Sequence, residues 1–210
     1  MTSTATLIGY IFLSPEEVDM QTGTADVRAP IDPIDLTGVS CERVLLMCGA
    51  LVACGSLVLH GSNVRPVVQT IEPRQANDRA KSSGNQCAVY ASLDARVALM
   101  HALLDRRYLS ARLGSWRIGY RWQAGGLRFS VSDNLYRLFC DGDPALLSEG
   151  SVYVLERSHF VRPADSELEF HALSPQRPVH ILTVAPALGR ALFRPDGDAT
   201  GIAVMRFPKA

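Results

Sequence analysis

The sequence predicts an α+β domain whose sheet is mixed or mainly antiparallel. About seven segments are rich in β-branched and aromatic residues, and most lie in the C-terminal half with short turns between them. Only two or three helical segments are present, all placed early, so strands and helices do not alternate as in a parallel βαβ fold. The 210-residue chain is 47% hydrophobic and 20% charged, which is close to a typical globular domain.

Composition argues against several classes of function. The 21 basic and 21 acidic residues give a net charge of zero, so no overall field draws the chain to nucleic acid or to an anionic membrane. The five cysteines show no CxxC or Cys/His spacing of the kind that binds zinc. The uncharged run at residues 44–59 is shorter than the roughly 20 residues of a spanning helix. We therefore expect a cytoplasmic protein without a metal ion or membrane contact.

The first elements are an N-terminal arm, a helix and a strand. Residues 1–40 hold a short apolar run and then a polar stretch in which two prolines oppose helix formation. The uncharged run divides into a buried helix at residues 41–54, ended by Gly55, and a strand at residues 56–60. We assign residues 1–40 to a partly irregular arm and residues 41–210 to a single domain.

A long connection and a second helix follow. Residues 63–86 are polar and contain prolines and a glycine, which is typical of a functional or mobile loop. The segment CAVYAS at residues 87–92 predicts a short buried strand. The helix predicted at residues 94–107 begins with Asp94 as its N-cap and carries apolar residues along one side. The second strand therefore leads directly into a helix.

Strands dominate the rest of the chain. Two alternating segments around Gly125-Gly126 predict a hairpin with Arg117, Arg121 and Arg128 at outward positions. A solvated strand face explains these arginines more simply than phosphate binding does. The segment NLYRLFC continues the β-rich pattern. Four further strand candidates complete the chain: SVYVLERSHF, ELEFHAL, RPVHILTVAP and TGIAVMRFP.

Two strand ends carry residues suited to nucleotide binding, although a Walker loop, GxGxxG, HExxH and GxSxG are all absent. In LVLHGSN, an apolar strand ends in His60, whose ring offers a hydrogen-bonding nitrogen. Gly61 then allows close approach to the backbone, and Ser62 adds a hydroxyl. In AVYASLD, a second strand delivers Tyr90 and Ser92 to its end, where the tyrosine ring can stack on an aromatic ligand.

Together, the His-Gly-Ser strand end, the long loop and the Tyr-Ala-Ser strand end before a helix resemble the His-Tyr-Glu branch of the ADP-ribosyltransferases. That branch includes diphtheria toxin and the poly(ADP-ribose) polymerases, and the resemblance covers well over half of the chain. It implies an ADP-ribosyltransferase-like split sheet with NAD as the substrate. It also implies that His60 hydrogen-bonds the nicotinamide-side ribose, that the Gly61 backbone holds the carboxamide and that Tyr90 stacks on nicotinamide. Ser62 and Ser92 would be supporting contacts.

The resemblance further implies a glutamate on a later strand, which bonds a ribose hydroxyl and stabilises an oxocarbenium-like transition state as nicotinamide leaves. Glu169 is our choice, because an acid, an aromatic residue and a polar turn with proline precede a strand in SELEFHALSPQRPVHILTV. Glu167, two residues earlier on the same strand face, is the rival. Glu149 and Glu156 are further candidates, and Glu156 is expected to be an exposed strand charge paired with Arg157 or its neighbours.

The loop at residues 63–86 is expected to lie over the NAD cleft. Arg65, Arg74 and Lys81 on this loop are candidates to contact the diphosphate, with a simply solvated loop as the alternative. The remaining histidines, His101 and His171 among them, lack partners at ligand spacing and are interpreted as structural.

These residues predict a mono-ADP-ribosyltransferase that transfers ADP-ribose from NAD to a macromolecule, either protein or nucleic acid, in the manner of a small bacterial toxin or defence effector. Breaking the nicotinamide–ribose bond needs positioning and a carboxylate near developing positive charge, and it needs no metal. Three alternatives stay open. Water can take the place of the acceptor, the fold can bind NAD or ADP-ribose without turnover, or the two tripeptides can be chance strand ends.

Overall fold

The computed structural model describes residues 30–76, 85–123, 126–166, 168–195 and 202–207. The strands of this part are β1 (Ile34–Asp35), β2 (Leu57–Ser62), β3 (Arg74–Gln75), β4 (Cys87–Ser92), β5 (Ile118–Gln123), β6 (Gly126–Val131), β7 (Gly150–Glu156), β8 (Glu169–Ala172), β9 (His180–Val184), β10 (Phe193–Pro195) and β11 (Ile202–Arg206). The α-helices are α1 (Cys41–Ala53), α2 (Ala95–Leu103), α3 (Arg106–Leu113), α4 (Asp133–Cys140) and α5 (Pro186–Leu192).

The strands form two sheets. The larger sheet has seven strands in the order β1-β9-β7-β2-β4-β3, and β8 pairs with β4 outside this path. Its pairs are antiparallel except for the parallel pair of β1 and β9. The smaller sheet has the order β10-β11-β6-β5, with an antiparallel β5–β6 hairpin and two parallel pairs. Both sheets are mixed and helices accompany them, which confirms the predicted α+β class.

The centre of the larger sheet is buried on both faces because its central strands are mostly apolar. Strand β7 reads GSVYVLE and is buried from Gly150 to Leu155. One face packs on the α2 core, which includes Leu59, Leu99, Val152, Leu182 and Phe129. The other face packs on the second core, which includes Val58, Val89, Tyr153, Phe170 and Ile181. Continuous apolar runs of this kind are expected of strands covered on both sides.

Helix α2 is almost completely buried and lies against β2 and β7 through two glycines. A Cβ atom at Gly61 would overlap the backbone carbonyl of Ala98, and one at Gly150 would overlap the backbone carbonyl of Ala102. Only glycine leaves room for the helix backbone to approach the sheet this closely. The sequence therefore determines where α2 sits.

The first helix and the hairpin agree with the sequence prediction. Helix α1 spans Cys41–Ala53 and buries Val44, Met47 and Cys48, and Gly55 follows with a φ of 78°. Strands β5 and β6 form the expected hairpin. Arg128 lies on its outward face between buried neighbours and donates to the Met205 sulfur at 3.3 Å. The side chain of Arg121 lies outside the described part of the structure.

The helix predicted at residues 94–107 is wrong at its C-terminal end. Asp94 caps α2 as expected, accepting a hydrogen bond from the Arg96 amide, but α2 stops at Leu103. A second helix, α3, begins at Arg106, and the Asp105 side chain caps it by accepting from the Tyr108 amide. Asp105 is an N-cap residue within a periodic apolar pattern, and the local cap ends the helix even though the pattern continues.

The strand-like interpretation of NLYRLFC is also wrong. This segment is the helix α4, which buries Leu135, Tyr136, Leu138 and Phe139. These positions follow the helical spacing i, i+1, i+3, i+4, and Ser132 stands at the N-cap position. Helix α5 was not predicted, although Pro186 occupies its first turn as is common. Helices are therefore neither confined to the first half nor limited to three.

Part of the segment assigned to the N-terminal arm joins the sheet. Strand β1 pairs in parallel with β9, and Leu36 is buried in the α2 core. The rest of the predicted arm, residues 1–29, lies outside the described residues. Within the described ranges, no helix combines the length and the apolar character that crossing a membrane requires.

Candidate functional site

Strand β2 separates from β4 immediately after they meet. In the described part of the chain the two strands pair at a single position, Leu59 with Ser92. Beyond it, the Nδ1 atom of His60 lies 2.6 Å from the carbonyl oxygen of Tyr90. A side chain thus satisfies a backbone acceptor that regular pairing would otherwise satisfy. We call this opening the β2–β4 gap.

His60 presents a fixed hydrogen-bond acceptor at the gap. A carbonyl oxygen only accepts hydrogen bonds, so Nδ1 carries the proton and Nε2 is left as an acceptor in the neutral ring. Burial lowers the pKa of His60 to about 4, and the positive charges of Arg106 and Arg74 act in the same direction. The imidazole is therefore neutral at pH 7. Its Nε2 atom is suited to accept from a hydroxyl group.

Tyr90 offers an aromatic ring on β4. Its ring packs edge-on against His171 with centroids 4.3 Å apart. Its hydroxyl donates to the Gln86 carbonyl at 2.9 Å and accepts from the Gln86 amide at 3.2 Å. These contacts fix the orientation of the ring, which remains partly exposed. A held aromatic ring is suited to stack on a flat ligand.

Glu169 begins β8 directly opposite Ser92 of β4. Its carboxylate accepts hydrogen bonds from the hydroxyl of Tyr120, on β5 of the smaller sheet, and from the hydroxyl of Ser166 at 3.3 Å. The Glu169 amide donates to the same Ser166 oxygen at 3.1 Å. The carboxylate is half-buried and is held where the two sheets meet.

The register places these side chains on two faces of the sheet. Ser92 is opposite Leu59 on the α2-core face, and Tyr90 and Glu169 share that face. His60 is opposite Tyr153 and leaves the sheet on the second-core face, with ring centroids 6.0 Å apart. Because the His60 ring turns into the gap, one ligand can contact all three residues only if it lies across the gap.

His101, which was interpreted as structural from the sequence, and Arg106 both lie near the gap. Arg106 donates from Nη2 to Nδ1 of His101 at 2.6 Å, and the His101 ring lies 6.2 Å from that of Tyr120. Since guanidinium only donates, Nδ1 of His101 is bare and Nε2 carries the proton. Burial lowers the pKa of His101 to about 3, with Arg106 and His60 acting in the same direction. His101 is therefore a neutral donor near the neutral acceptor His60.

The predicted supporting residues have structural contacts of their own. Ser62 accepts from the Val64 amide at 3.2 Å, and the buried Ser92 accepts from the Asp94 amide at 3.0 Å where α2 begins. Gly61 is required by the packing of α2. These contacts give Ser62, Ser92 and Gly61 structural roles that need no ligand. The roles of these three residues in ligand binding stay predictions.

The basic residues of the predicted loop separate in the structure. Arg74 is exposed on β3 and lies close enough to His60 to lower its pKa. Arg65 forms an ion pair with Glu149. Lys81 lies outside the described residues. Of the three, Arg74 is the one that the described structure brings toward the gap.

The other candidate catalytic glutamates do not lie together in the described structure either. Glu149 is engaged with Arg65. Glu156 is exposed at the end of β7, and its Oε2 atom lies 3.8 Å from Nε2 of His159. Glu167 lies outside the described residues. Among the candidates that the structure describes, Glu169 is the one beside β4.

His60, Tyr90 and Glu169 do not line either of two surface recesses. These recesses have volumes of about 410 and 350 Å³. The first is lined by Asn63, Arg65, Asp105, Arg107, Ser148 and Glu149, and the second is lined by Glu156, His159, Pro175, Gln176, Arg177, Pro178 and Val179. Within the same residues, no three His, Cys, Asp or Glu side chains gather as a metal site.

Sequence reasoning missed His101, Arg106 and Tyr120. Asp105 was the available signal for two of them, because an N-cap residue there ends α2 and places Arg106 at the start of the next helix. Tyr120 carries no comparable local signal, since its partner Glu169 is 49 residues away in the chain. Contacts between sheets become visible only with the fold.

The gap and the neighbouring strand β8 carry the candidate groups, with Glu169 across β4 from the gap because Ser92 pairs with both Leu59 and Glu169. Strand β2 supplies a neutral acceptor in His60, β4 an aromatic ring in Tyr90, and β8 a carboxylate in Glu169. The His101–Arg106 pair adds a hydrogen-bond donor and a positive charge. No protein-family model, curated protein or solved structure matches this chain.

Proposed function

We propose that this chain is an ADP-ribosyltransferase-like enzyme that transfers ADP-ribose from NAD to a macromolecular acceptor and releases nicotinamide. The observation that supports this proposal is the β2–β4 gap, where His60 bridges two separating strands, with Tyr90 on β4 and Glu169 on the next strand, β8. These are the three residue types that the resemblance to the His-Tyr-Glu branch requires, on three neighbouring strands. We propose the split-sheet fold of that branch on the same basis.

Each side chain has a role that its surroundings permit. The Nε2 acceptor of His60 is suited to a ribose hydroxyl, and the ring of Tyr90 is suited to the flat nicotinamide. The Glu169 carboxylate is suited to stabilise positive charge that develops on the ribose. Loss of nicotinamide from NAD is favoured by fixed charges and positioning, which a neutral histidine and a held carboxylate supply.

The test is nicotinamide release from NAD by the purified protein, with and without a cell lysate as acceptor. We expect Glu169→Gln to reduce release by about a hundredfold or more, because a preorganised group in an active site typically contributes that much. We expect Tyr90→Ala to reduce release as well. Glu156→Gln is the matched control, since Glu156 is exposed at the end of β7. Equal activity of Glu169→Gln and wild type would reject the catalytic role.

Hydrolysis of NAD is the second candidate within the enzyme class. It uses the same groups, with water as the acceptor, and the lysate separates the two. Release that rises with lysate and labels a macromolecule supports transfer. Release of the same size in buffer alone, with free ADP-ribose as the product, supports hydrolysis.

A binding module without turnover is the candidate from another class. The specific observation in its favour is that both oxygens of Glu169 already accept hydrogen bonds, one from Tyr120 and one from Ser166. A carboxylate engaged in this way can serve structure alone. Stabilisation of the fold by NAD without any nicotinamide release would support this alternative.

A further inference from the structure

Arg106 is a cation without an acidic partner in the described part of the chain. The ion pairs there join Arg65 with Glu149, Arg96 with Asp94, His159 with Glu156 and Arg206 with Asp133. The guanidinium of Arg106 instead donates to Nδ1 of His101, which is a neutral acceptor.

No carboxylate of the described residues forms an ion pair with Arg106, and the Glu169 carboxylate is engaged by two hydroxyl groups. Burial lowers the pKa of Arg106, and only the phenol of Tyr120 acts in the opposite direction. His60 and His101 are both neutral at pH 7 because burial depresses each pKa. The side chain is nevertheless exposed. An exposed guanidinium without an acidic partner in the described residues is able to accept an anion from solution.

His101 determines how the guanidinium is presented. One hydrogen bond to Nδ1, 2.6 Å long, uses the Nη2 atom and leaves the other N–H groups of the planar group available. The ring of His101 is itself held near Tyr120 by an edge-on contact. The arginine is therefore oriented before any ligand arrives, which reduces the entropy lost on binding.

We infer that Arg106 binds a phosphate group of the nucleotide, and that His101 positions its guanidinium for this contact. The inference rests on the proposed function for the identity of the ligand as NAD. Arginine forms bidentate hydrogen bonds with phosphate oxygens, which a neutral sugar or a nicotinamide ring does not offer. Arg74, which also lies within electrostatic range of His60, gives the gap a second positive charge. These two positive charges near His60 favour an anionic group beside them although the chain has no net charge.

The test compares ligands with and without phosphate. Binding of NAD, nicotinamide riboside and inorganic pyrophosphate is measured by calorimetry for wild type, Arg106→Gln and Arg107→Gln. Arg107 is the matched control because it is the adjacent arginine of α3 and is also exposed, but it lines the 410 Å³ recess and has no hydrogen bond to His101 among the described contacts. We expect Arg106→Gln to weaken NAD and pyrophosphate at least tenfold and to leave the riboside unchanged. Arg107→Gln should bind all three ligands as wild type does.

Arg106→Lys is a second variant, which distinguishes a loss of phosphate binding from a loss of folding. It keeps the charge but not the planar fork, so we expect an intermediate loss for NAD and pyrophosphate with an unchanged thermal midpoint. Wild-type affinity of Arg106→Gln for NAD and pyrophosphate would overturn the inference. So would an equal loss for the riboside, because Arg106 would then act on the fold and not on phosphate.

The same measurements separate this inference from the proposed function. If wild type releases nicotinamide and Arg106→Gln binds NAD normally, the inference fails and the proposed function stands. If wild type binds pyrophosphate through Arg106 but neither binds nor cleaves NAD, the phosphate site stands and the proposed function fails. If wild type binds neither ligand, both are rejected.

Discussion

The two edges of strand β2 differ sharply. On one edge, β2 pairs with β7 over six residues, and both strands are covered by apolar side chains. On the other edge it pairs with β4 at one position within the described residues. Beyond that position, the His60 side chain donates a hydrogen bond to the Tyr90 carbonyl in place of a backbone group. The first edge satisfies backbone groups with other backbone groups. The second edge satisfies a backbone group with an ionisable side chain.

The edge of β2 that pairs with β7 stabilises the fold, and the edge that faces β4 leaves hydrogen-bonding groups that a ligand can contact. A continuous ladder leaves no hydrogen-bonding group for a ligand, whereas a strand that separates from its neighbour exposes such groups. Both histidines with the most depressed pKa values, His60 and His101, lie near the open edge. Perturbed groups that gather at an opening are typical of functional sites.

The largest effect is expected on the paired edge. Gly61→Ala places a methyl group against the Ala98 carbonyl of α2, so either the helix or the strand must move. We expect a loss of about 3 kcal/mol or more in the free energy of unfolding, measured by chemical denaturation. Gly49→Ala in α1 is the matched control, because a methyl group there meets open space. It should be neutral or stabilising by up to about 1 kcal/mol.

A smaller effect is expected on the open edge as the pH falls. The pKa of His60 is about 4 in the folded chain, below the ordinary value of 6.5, so the unfolded chain takes up a proton that the folded chain excludes. The free energy of unfolding should therefore fall as the pH drops from about 6.5 to about 4. We expect the contribution of His60 to be on the order of 1 to 3 kcal/mol.

His60→Asn isolates this contribution. Asparagine can still donate to the Tyr90 carbonyl but does not titrate, and His101 is unchanged in both proteins. Denaturation curves at pH 7 and pH 4.5 should show a smaller loss of stability in the variant than in wild type. If wild type and the variant lose the same amount of stability between pH 7 and pH 4.5, His60 is solvated in the folded chain and the prediction is wrong.

The smallest effect is expected at the contact between Tyr120 of the smaller sheet and Glu169 of the larger sheet. Tyr120→Phe removes the hydroxyl that donates to Glu169, and we expect a loss of about 1 kcal/mol in stability. Nicotinamide release should fall severalfold, because the carboxylate becomes less well oriented. Tyr108→Phe is the control for activity, since its hydroxyl donates to Asp143 away from the gap. Loss of activity in both variants would argue against a specific role of Tyr120.

Much of the larger sheet could be predicted from the sequence, because its strands are apolar runs that end in recognisable residues. Strand β4 matches the predicted 87–92 segment, and β2 extends two residues beyond the predicted end. Helix α4 could not be separated from a strand by composition alone, since its aromatic and leucine residues suit both structures. A short apolar segment fits both a helix and a strand, and its tertiary packing determines which of the two forms.

The candidate site was predictable only in part for a related reason. His60 and Tyr90 lie in the C-terminal halves of strands that the sequence predicts, but the position of Glu169 beside β4 depends on β8 pairing with β4. The contact of Arg106 with His101 depends on the turn between α2 and α3, which the predicted continuous helix concealed. Residues that are joined by turns or by strand pairing across long separations have no shared periodicity in the sequence.

The two glycines under α2 also restrict the motion of that helix as a rigid body. Gly61 and Gly150 lie on adjacent strands and contact α2 near Ala98 and Ala102, which are one turn apart. Two contacts at van der Waals limit prevent α2 from sliding along the sheet and from rolling about its own axis. His101 lies between these two points, so its side chain has a fixed direction. The geometry of the open edge therefore depends on backbone contacts between α2 and the two strands.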